Sequence, residues 1–401
     1  MENIILFDDD NWQSLLPITY TRPICEIRVG ILTISEKWQT RTNCKVSYIT
    51  QDYLAKKFPI NISDNNLVIN SRLLPNDNME DLILQLGFNE ALLYNEQLIA
   101  ARLTRTQFDK LIENQDLDAL TGVDLAKEDK YVHLISRPYD VFMENGKEIL
   151  KDFKILTHLK KSEIISYHTH PIEPDNIFIE KGATVLCSTL NASEGPIYIG
   201  KNATVMEGCH IRGPFAMGEG AVLKMGARVY KDTTIGPYCK VGGEVSNVVF
   251  QGYCNKGHDG YLGNSYLGEW CNLGADTNSS NLKNNYAEVK LWDYTKDSFD
   301  KTGLQFCGLI MGDHSKTGIN TMLNTGTVIG VSANVFGSGY PRNFIPSYSW
   351  GGASGYKTYQ IGKALEVGNK VMARRKKEMT PDDKTILEHI YHDTASYRNW
   401  E

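Results

Sequence analysis

Three short stretches in the second half of the chain hold residue types suited to group transfer. They are Gly257-His258-Asp259-Gly260-Tyr261-Leu262-Gly263, Cys271-Asn272-Leu273-Gly274-Ala275 and Asn281-Leu282-Lys283-Asn284-Asn285-Tyr286. A histidine titrates near neutral pH, so His258 suits the acceptance of a proton while another bond forms. His314, in Met311-Gly312-Asp313-His314-Ser315, is the rival base. His168 and His170 alternate like a metal pair but have no third ligand nearby, and read as surface residues.

A six-residue beat must position these groups. Ile199, Val205, Ile211, Met217, Leu223, Val229, Ile235 and Val241 follow one another at intervals of six, and Ala203, Cys209, Ala221, Ala227, Thr233 and Cys239 fall four residues after members of the set. With 41% hydrophobic residues overall, eight apolar hits in one frame arise by chance roughly once in a thousand frames. A period of six fits neither a helix nor a plain strand. It fits a chain that turns a corner every six residues with one large apolar side chain per flat face, a hexapeptide β-helix. The repeat is expected from about Ile177 to Gly339. It slips by two after Val241, so that Val249, Tyr261, Leu267 and Leu273 fall in frame. An insertion fills roughly Asp276–Leu304, and the beat resumes at Met311, Thr317, Leu323, Ile329 and Val335. The slip and the insertion bracket His258, Tyr261 and Asn272.

Composition narrows the classes. The chain has 401 residues, a net charge of −6 and mixed signs throughout, which argues against nucleic acid as a partner. No apolar run approaches membrane-spanning length, the N-terminus lacks the marks of a signal peptide, and a cytoplasmic location is expected. The eight cysteines are scattered and read as reduced core thiols.

The first ~120 residues read as a small α/β unit. Strands are expected at Asn3–Phe7, Lys45–Ile49 and Leu67–Asn70, with helices at Ile31–Trp38, Met79–Leu86 and Thr106–Asn114. A connecting helix follows near Val141–Leu156. After the beat, Ser347–Gly352 reads as a loop and Tyr359–Lys377 as a helix ending in a basic run. Thr380-Pro381 then caps a second helix.

The segment 195–335 resembles the acetyltransferase half of the bifunctional enzymes that acetylate glucosamine-1-phosphate and then uridylate it. That family carries His-x-x-Tyr-Leu-Gly in one coil and an Asn-x-Gly-Ala stretch a coil fragment later. The resemblance implies an α/β nucleotidyltransferase-like, Rossmann-type domain over 1–165, a left-handed parallel β-helix over 172–340 and a helical tail over 341–401. It assigns His258 as general base and gives the sugar phosphate to Arg228 and Tyr261. Asn272 would touch the sugar, Asn281 would lie near the acetyl group of acetyl-CoA, and Lys290 is a looser phosphate contact. Ser246 stands where the family has a second phosphate-binding lysine. In the N-terminal unit the family's glycine-rich phosphate loop is replaced by Asp8-Asp9-Asp10, and its metal-binding Gly-Asp by Asn70-Ser71-Arg72. The carboxylates repel a triphosphate unless Mg²⁺ intervenes, while Leu15-Leu16-Pro17 to Arg22-Pro23 resembles a sugar-nucleotide transferase stretch in which Arg22 contacts phosphate. Active and degenerate forms of this domain both stay open. The expected protein is a homotrimeric enzyme using acetyl-CoA and a sugar 1-phosphate, with UTP or dTTP if the first domain is active. It would serve UDP-N-acetylglucosamine-type sugar-nucleotide synthesis. The alternatives are nucleotidyl transfer with the β-helix as a trimerising scaffold, or a non-catalytic assembly subunit.

Overall fold

The computed structural model describes residues 3–112, 120–125 and 130–400. Two compact units emerge: Met1–Leu15, Arg22–Ile27 and Leu32–Ser136 form the first, and Leu16–Thr21, Arg28–Ile31 and Arg137–Glu401 the second.

In the first unit the apolar run Ile4-Ile5-Leu6 is fully buried, and Asn3–Phe7 pairs in parallel with Val46–Ile49 on one side and Asn65–Asn70 on the other. Continuous apolar strands of this kind belong inside a covered sheet. Thr33 starts the intervening helix Ile34–Thr42 with a reciprocal capping box to Glu36. The far half of the sheet is not uniformly parallel. Gln97–Thr104 runs antiparallel to both Asn65–Asn70 and Glu90–Tyr94, and Thr121–Asp124 closes that edge. The expected α/β sheet is therefore mixed: Gln97–Thr104 runs against both of its neighbours, while Glu90–Tyr94 and Thr121–Asp124 pair in parallel with each other. The helix expected at Thr106–Asn114 is present as Arg105–Ile112, and its last two residues lie outside the described residues.

The second unit is a parallel β-helix built from three stacks of short strands, followed by two helices. One stack carries Thr189–Asn191, His210–Arg212 and Arg228–Val229, then the starts of Glu244–Phe250 and Tyr261–Leu267. We term it the Tyr261 face. A second, the Phe250 face, runs from Ile177–Ile179 to Phe344–Ile345. The third, the Lys240 face, carries Thr184–Val185 through Lys240–Val241 and Asn255–Lys256, and beyond them Lys316–Thr317, Asn334–Val335 and Ser349–Gly352. Every member of the six-residue series from Ile199 to Val241 is in the buried core, as are Ala203, Cys209, Ala221, Ala227 and Cys239.

Three expectations shift. Leu262, Val248 and Phe250 point into the prism, whereas Tyr261 and Val249 do not belong to that core. Val249 is nonetheless fully buried, because helix Asp140–Thr157 packs over the Phe250 face. That helix lies with the β-helix unit, which begins at Arg137 and not after the boundary expected at 165. At Gly146 a Cβ would collide with the Asp232 carboxylate. Second, the insertion starts later than Asp276, since Asn278–Ser279 still pairs with the coil at Met322–Leu323. Its body is the hairpin Lys290–Asp293/Ser298–Lys301. Third, Ser349–Gly352 is a strand, pairing with Asn334–Val335 and returning antiparallel through Gly355–Thr358. The tail helices are Ile361–Ala373 and Pro381–Asp393, the latter capped by Thr380 as expected. All eight cysteines are free thiols, and among the described residues no helix is long and apolar enough to cross a membrane.

Candidate active site

His210, Arg228, Glu244 and Tyr261 stack directly above one another on the Tyr261 face. Rungs about 4.8 Å apart put the backbones of Arg228 and Tyr261 about 10 Å apart, within reach of one arginine and one bound ligand. Arg228 Nε meets Glu244 Oε2 at 3.4 Å with both side chains partly exposed. Such a pair holds little energy and can give way to a ligand anion. Arg228 also borders an open cavity of about 420 Å³ shared with His210, Arg212 and Tyr230.

Tyr261 is fixed more tightly. The Asn281 amide donates to its hydroxyl oxygen at 3.0 Å and to Asn264 Oδ1 at 2.7 Å. Burial pushes the phenol pKa up, outweighing that hydrogen bond, so the hydroxyl keeps its proton. Its oxygen accepts from Asn281, which leaves the hydroxyl proton available for donation to a ligand. The pair lies flat over Gly263, where a Cβ would collide with the Tyr261 hydroxyl and come within 2.7 Å of Asn281 Nδ2.

His258 is exposed, on the turn between Asn255–Lys256 and Tyr261–Leu267. The backbone beneath it is held from several sides. Lys256 Nζ donates to the His258 carbonyl at 3.0 Å and to the Gly242 carbonyl at 2.7 Å. Gly243 (φ +73°) and Gly260 (φ +116°) occupy the left-handed region on either side, and a Cβ on Gly260 would strike the Thr277 carbonyl. Lys256 fills an inward position, paired in register with Val241, where other coils bury a valine or leucine. Burial lowers its pKa to about 8. The imidazole therefore projects from a rigid platform.

The structure thus gathers His258, Tyr261, Asn281 and Arg228 along one face. Asn272 lies elsewhere, on the Lys240 face, where it accepts from Asn255 Nδ2 at 2.8 Å. Lys290 lines a cavity of about 700 Å³ with Lys283, Arg342 and the stacked Trp292 and Phe344 (4.0 Å), which includes neither His258 nor Tyr261. Arg22 is buried in the first unit. The rival His314 stacks on Trp270 in a ladder with Tyr253 and Tyr238, whereas His168 and His170 are exposed. Glu244, Asn264 and Lys256, which contact Arg228, Asn281 and the His258 turn, are members of this candidate site that sequence reasoning missed. A lysine beside the frame slip was the available signal for Lys256.

In the first unit the aspartate run is answered from within the chain. Asp8 accepts from Thr50 Oγ1 at 2.7 Å and from the Ile24 amide at 3.0 Å, while burial pushes its pKa up to about 6. Asp9 accepts from Arg72 at 2.6 Å and Asn70 at 3.0 Å. Burial raises its pKa, but those partners outweigh it and hold the carboxyl below the usual range. A guanidinium therefore occupies the approach to Asp9 that a Mg²⁺ ion would need. No group of three or more His, Cys, Asp or Glu among the described residues is placed to hold a metal. These residues do not fit Mg²⁺.

Residues 4–161 match the family described as sugar nucleotidyl transferase. No curated protein matches the chain by sequence. Among solved structures, the chain is similar to the UDP-N-acetylglucosamine acyltransferase of Arabidopsis, at 17% identity over 53% of this chain and 80% of that one, with a TM-score of 0.26. The enzyme of the same name from Campylobacter jejuni gives 11% identity over 56% and 95%, also with a TM-score of 0.26. A mutant of AntD, an N-acyltransferase from Bacillus cereus in complex with dTDP and coenzyme A, gives 14% over 52% and 93% with a TM-score of 0.21.

Proposed function

We propose that the protein is a transferase of sugar-nucleotide synthesis whose β-helix acetylates the amine of an amino-sugar 1-phosphate, glucosamine-1-phosphate first among candidates. The amine attacks the thioester carbonyl of acetyl-CoA, forming the C–N bond as the C–S bond breaks. His258 takes the amine proton and returns it to the leaving thiolate. Tyr261 donates a hydrogen bond from its hydroxyl to the sugar phosphate, Arg228 exchanges Glu244 for that phosphate, and Asn281 holds Tyr261 in place. The observation that carries the reading is the exposed His258 on its clamped turn beside the Tyr261–Asn281 pair, in line with Arg228. Asn272 faces away from Tyr261 within one chain, so the reading includes a homotrimer in which neighbouring prisms complete the site. A monomer by light scattering would count against it.

The match of residues 4–161 favours a second reading, nucleotidyl transfer to a sugar 1-phosphate with the β-helix as scaffold. One assay pair separates the two. Thiol release from acetyl-CoA and glucosamine-1-phosphate supports acetyl transfer. Pyrophosphate release from UTP or dTTP and a sugar 1-phosphate, with no thiol release, overturns it in favour of the second reading.

A further inference from the structure

The basic run that ends the first tail helix has no part in the chemistry above. Arg374 and Arg375 follow Ile361–Ala373 and help enclose a cavity of about 260 Å³. Its other wall is a single column on the Lys240 face, in which Lys240, Asn255, Asn272 and Lys316 stack in register on successive coils. The column reads cation, amide, amide, cation, over about 14 Å at the usual rung spacing. Tyr253 and Trp270, stacked at 4.2 Å, complete the wall.

None of the residues lining this cavity carries a carboxylate. Four cations surround a space equal to the share of roughly nine water molecules. Their mutual repulsion is felt within the fold. The Lys240 ammonium is pushed to a lower pKa first by Arg375, then by burial, Lys224 and Arg374. Lys316 donates to the His314 carbonyl at 2.7 Å, a contact that leaves its charge unanswered. A solvated surface interleaves signs, whereas cations gathered around a concavity focus potential on an incoming anion. Arginine forks and lysine point charges are the usual partners of phosphate oxygens, and the linked Asn255 and Asn272 amides add neutral contacts between them. The space is too small for a protein segment or a whole nucleotide, but it admits two linked phosphates.

We propose that this groove binds a diphosphate, either free pyrophosphate or the diphosphate portion of a larger cosubstrate whose remainder lies outside it. The site goes beyond the acetyl-transfer reading and does not rest on it. The test is isothermal titration of the full chain with sodium pyrophosphate at low salt. Wild type is expected to bind. Lys240→Gln/Arg375→Gln is expected to weaken binding by roughly tenfold or more, as loss of charge-assisted hydrogen bonds implies, with an unchanged unfolding temperature. Lys201→Gln, an exposed lysine elsewhere on the β-helix, should bind as wild type does. Displacement of pyrophosphate by coenzyme A would identify an acyl donor as the source of the diphosphate. Displacement by ADP but not by coenzyme A would identify a nucleotide, and displacement by neither would identify free pyrophosphate. No binding at millimolar pyrophosphate, or equal affinity in the double variant, overturns the proposal. A His258→Ala protein that loses acetyl transfer but still binds pyrophosphate keeps the two readings separate.

Discussion

The aspartates of the first unit and the cations of the Lys240 face handle charge in opposite ways. Asp9 lies among Arg72, Asn70 and Asn11, all of which donate to it, and Asp8 takes Thr50 and a backbone amide. Around Lys240 and Arg375 no lining residue supplies an opposite charge. Charge answered inside the chain is costly to strip of its partner, whereas charge left unanswered around a cavity is suited to a ligand. Lys256 belongs with the first kind. It is buried, and its ammonium donates to two backbone carbonyls.

The contrast can be broken by substitution. Arg72→Met should have the largest effect. It removes the guanidinium that pairs with Asp9 at 2.6 Å and should cost about 3–5 kcal/mol by chemical denaturation. A loss below 1 kcal/mol would mean that the pair is ornamental. Lys256 comes next. Its pKa of about 8 lies below the ordinary 10.5, so between those values the unfolded chain binds more protons than the folded one. Stability should therefore rise with pH across that window, by roughly 3 kcal/mol at most, and Lys256→Met should remove that rise. Identical pH profiles for the two proteins would show that the lysine is solvated. Gly263→Ala should displace Tyr261, lowering acetyl transfer and costing about 1–3 kcal/mol in thermal unfolding. Wild-type turnover in that variant would separate the Tyr261–Asn281 pair from function. The smallest effect should be that of Lys240→Gln/Arg375→Gln on stability, within about 0.5 kcal/mol of wild type. Strong destabilisation there would make those cations structural and dissolve the contrast.

The β-helix was legible because one inward residue per six leaves a period that survives local irregularity. The slip was not legible at the level of single residues. The ladder runs 18 residues from His210 to Arg228, 16 from Arg228 to Glu244 and 17 from Glu244 to Tyr261. A shortened turn does not announce which neighbour it turns inward, so Tyr261 was read in place of Leu262. Val249 misled for a tertiary reason, being covered from outside by Asp140–Thr157. The Lys240–Asn255–Asn272–Lys316 column was out of reach because the insertion separates its last two members, and Arg374 and Arg375 join it from the tail. Likewise, the partner of Asp9 lies 63 residues away, too far for the aspartate run to show that it is neutralised. The grouping of His258, Tyr261 and Asn281 was visible in part: the family resemblance implies all three, but the hydrogen bond from Asn281 to Tyr261, across 20 residues, is a product of the fold.

The most direct test of the account is the turnover number for coenzyme A release, measured with glucosamine-1-phosphate and acetyl-CoA for wild type and His258→Ala under identical conditions. Loss of a positioned general base predicts a fall of about 10²–10⁴-fold with an unchanged unfolding temperature. Full turnover by the His258→Ala protein would contradict the placement of the chemistry on this face of the β-helix.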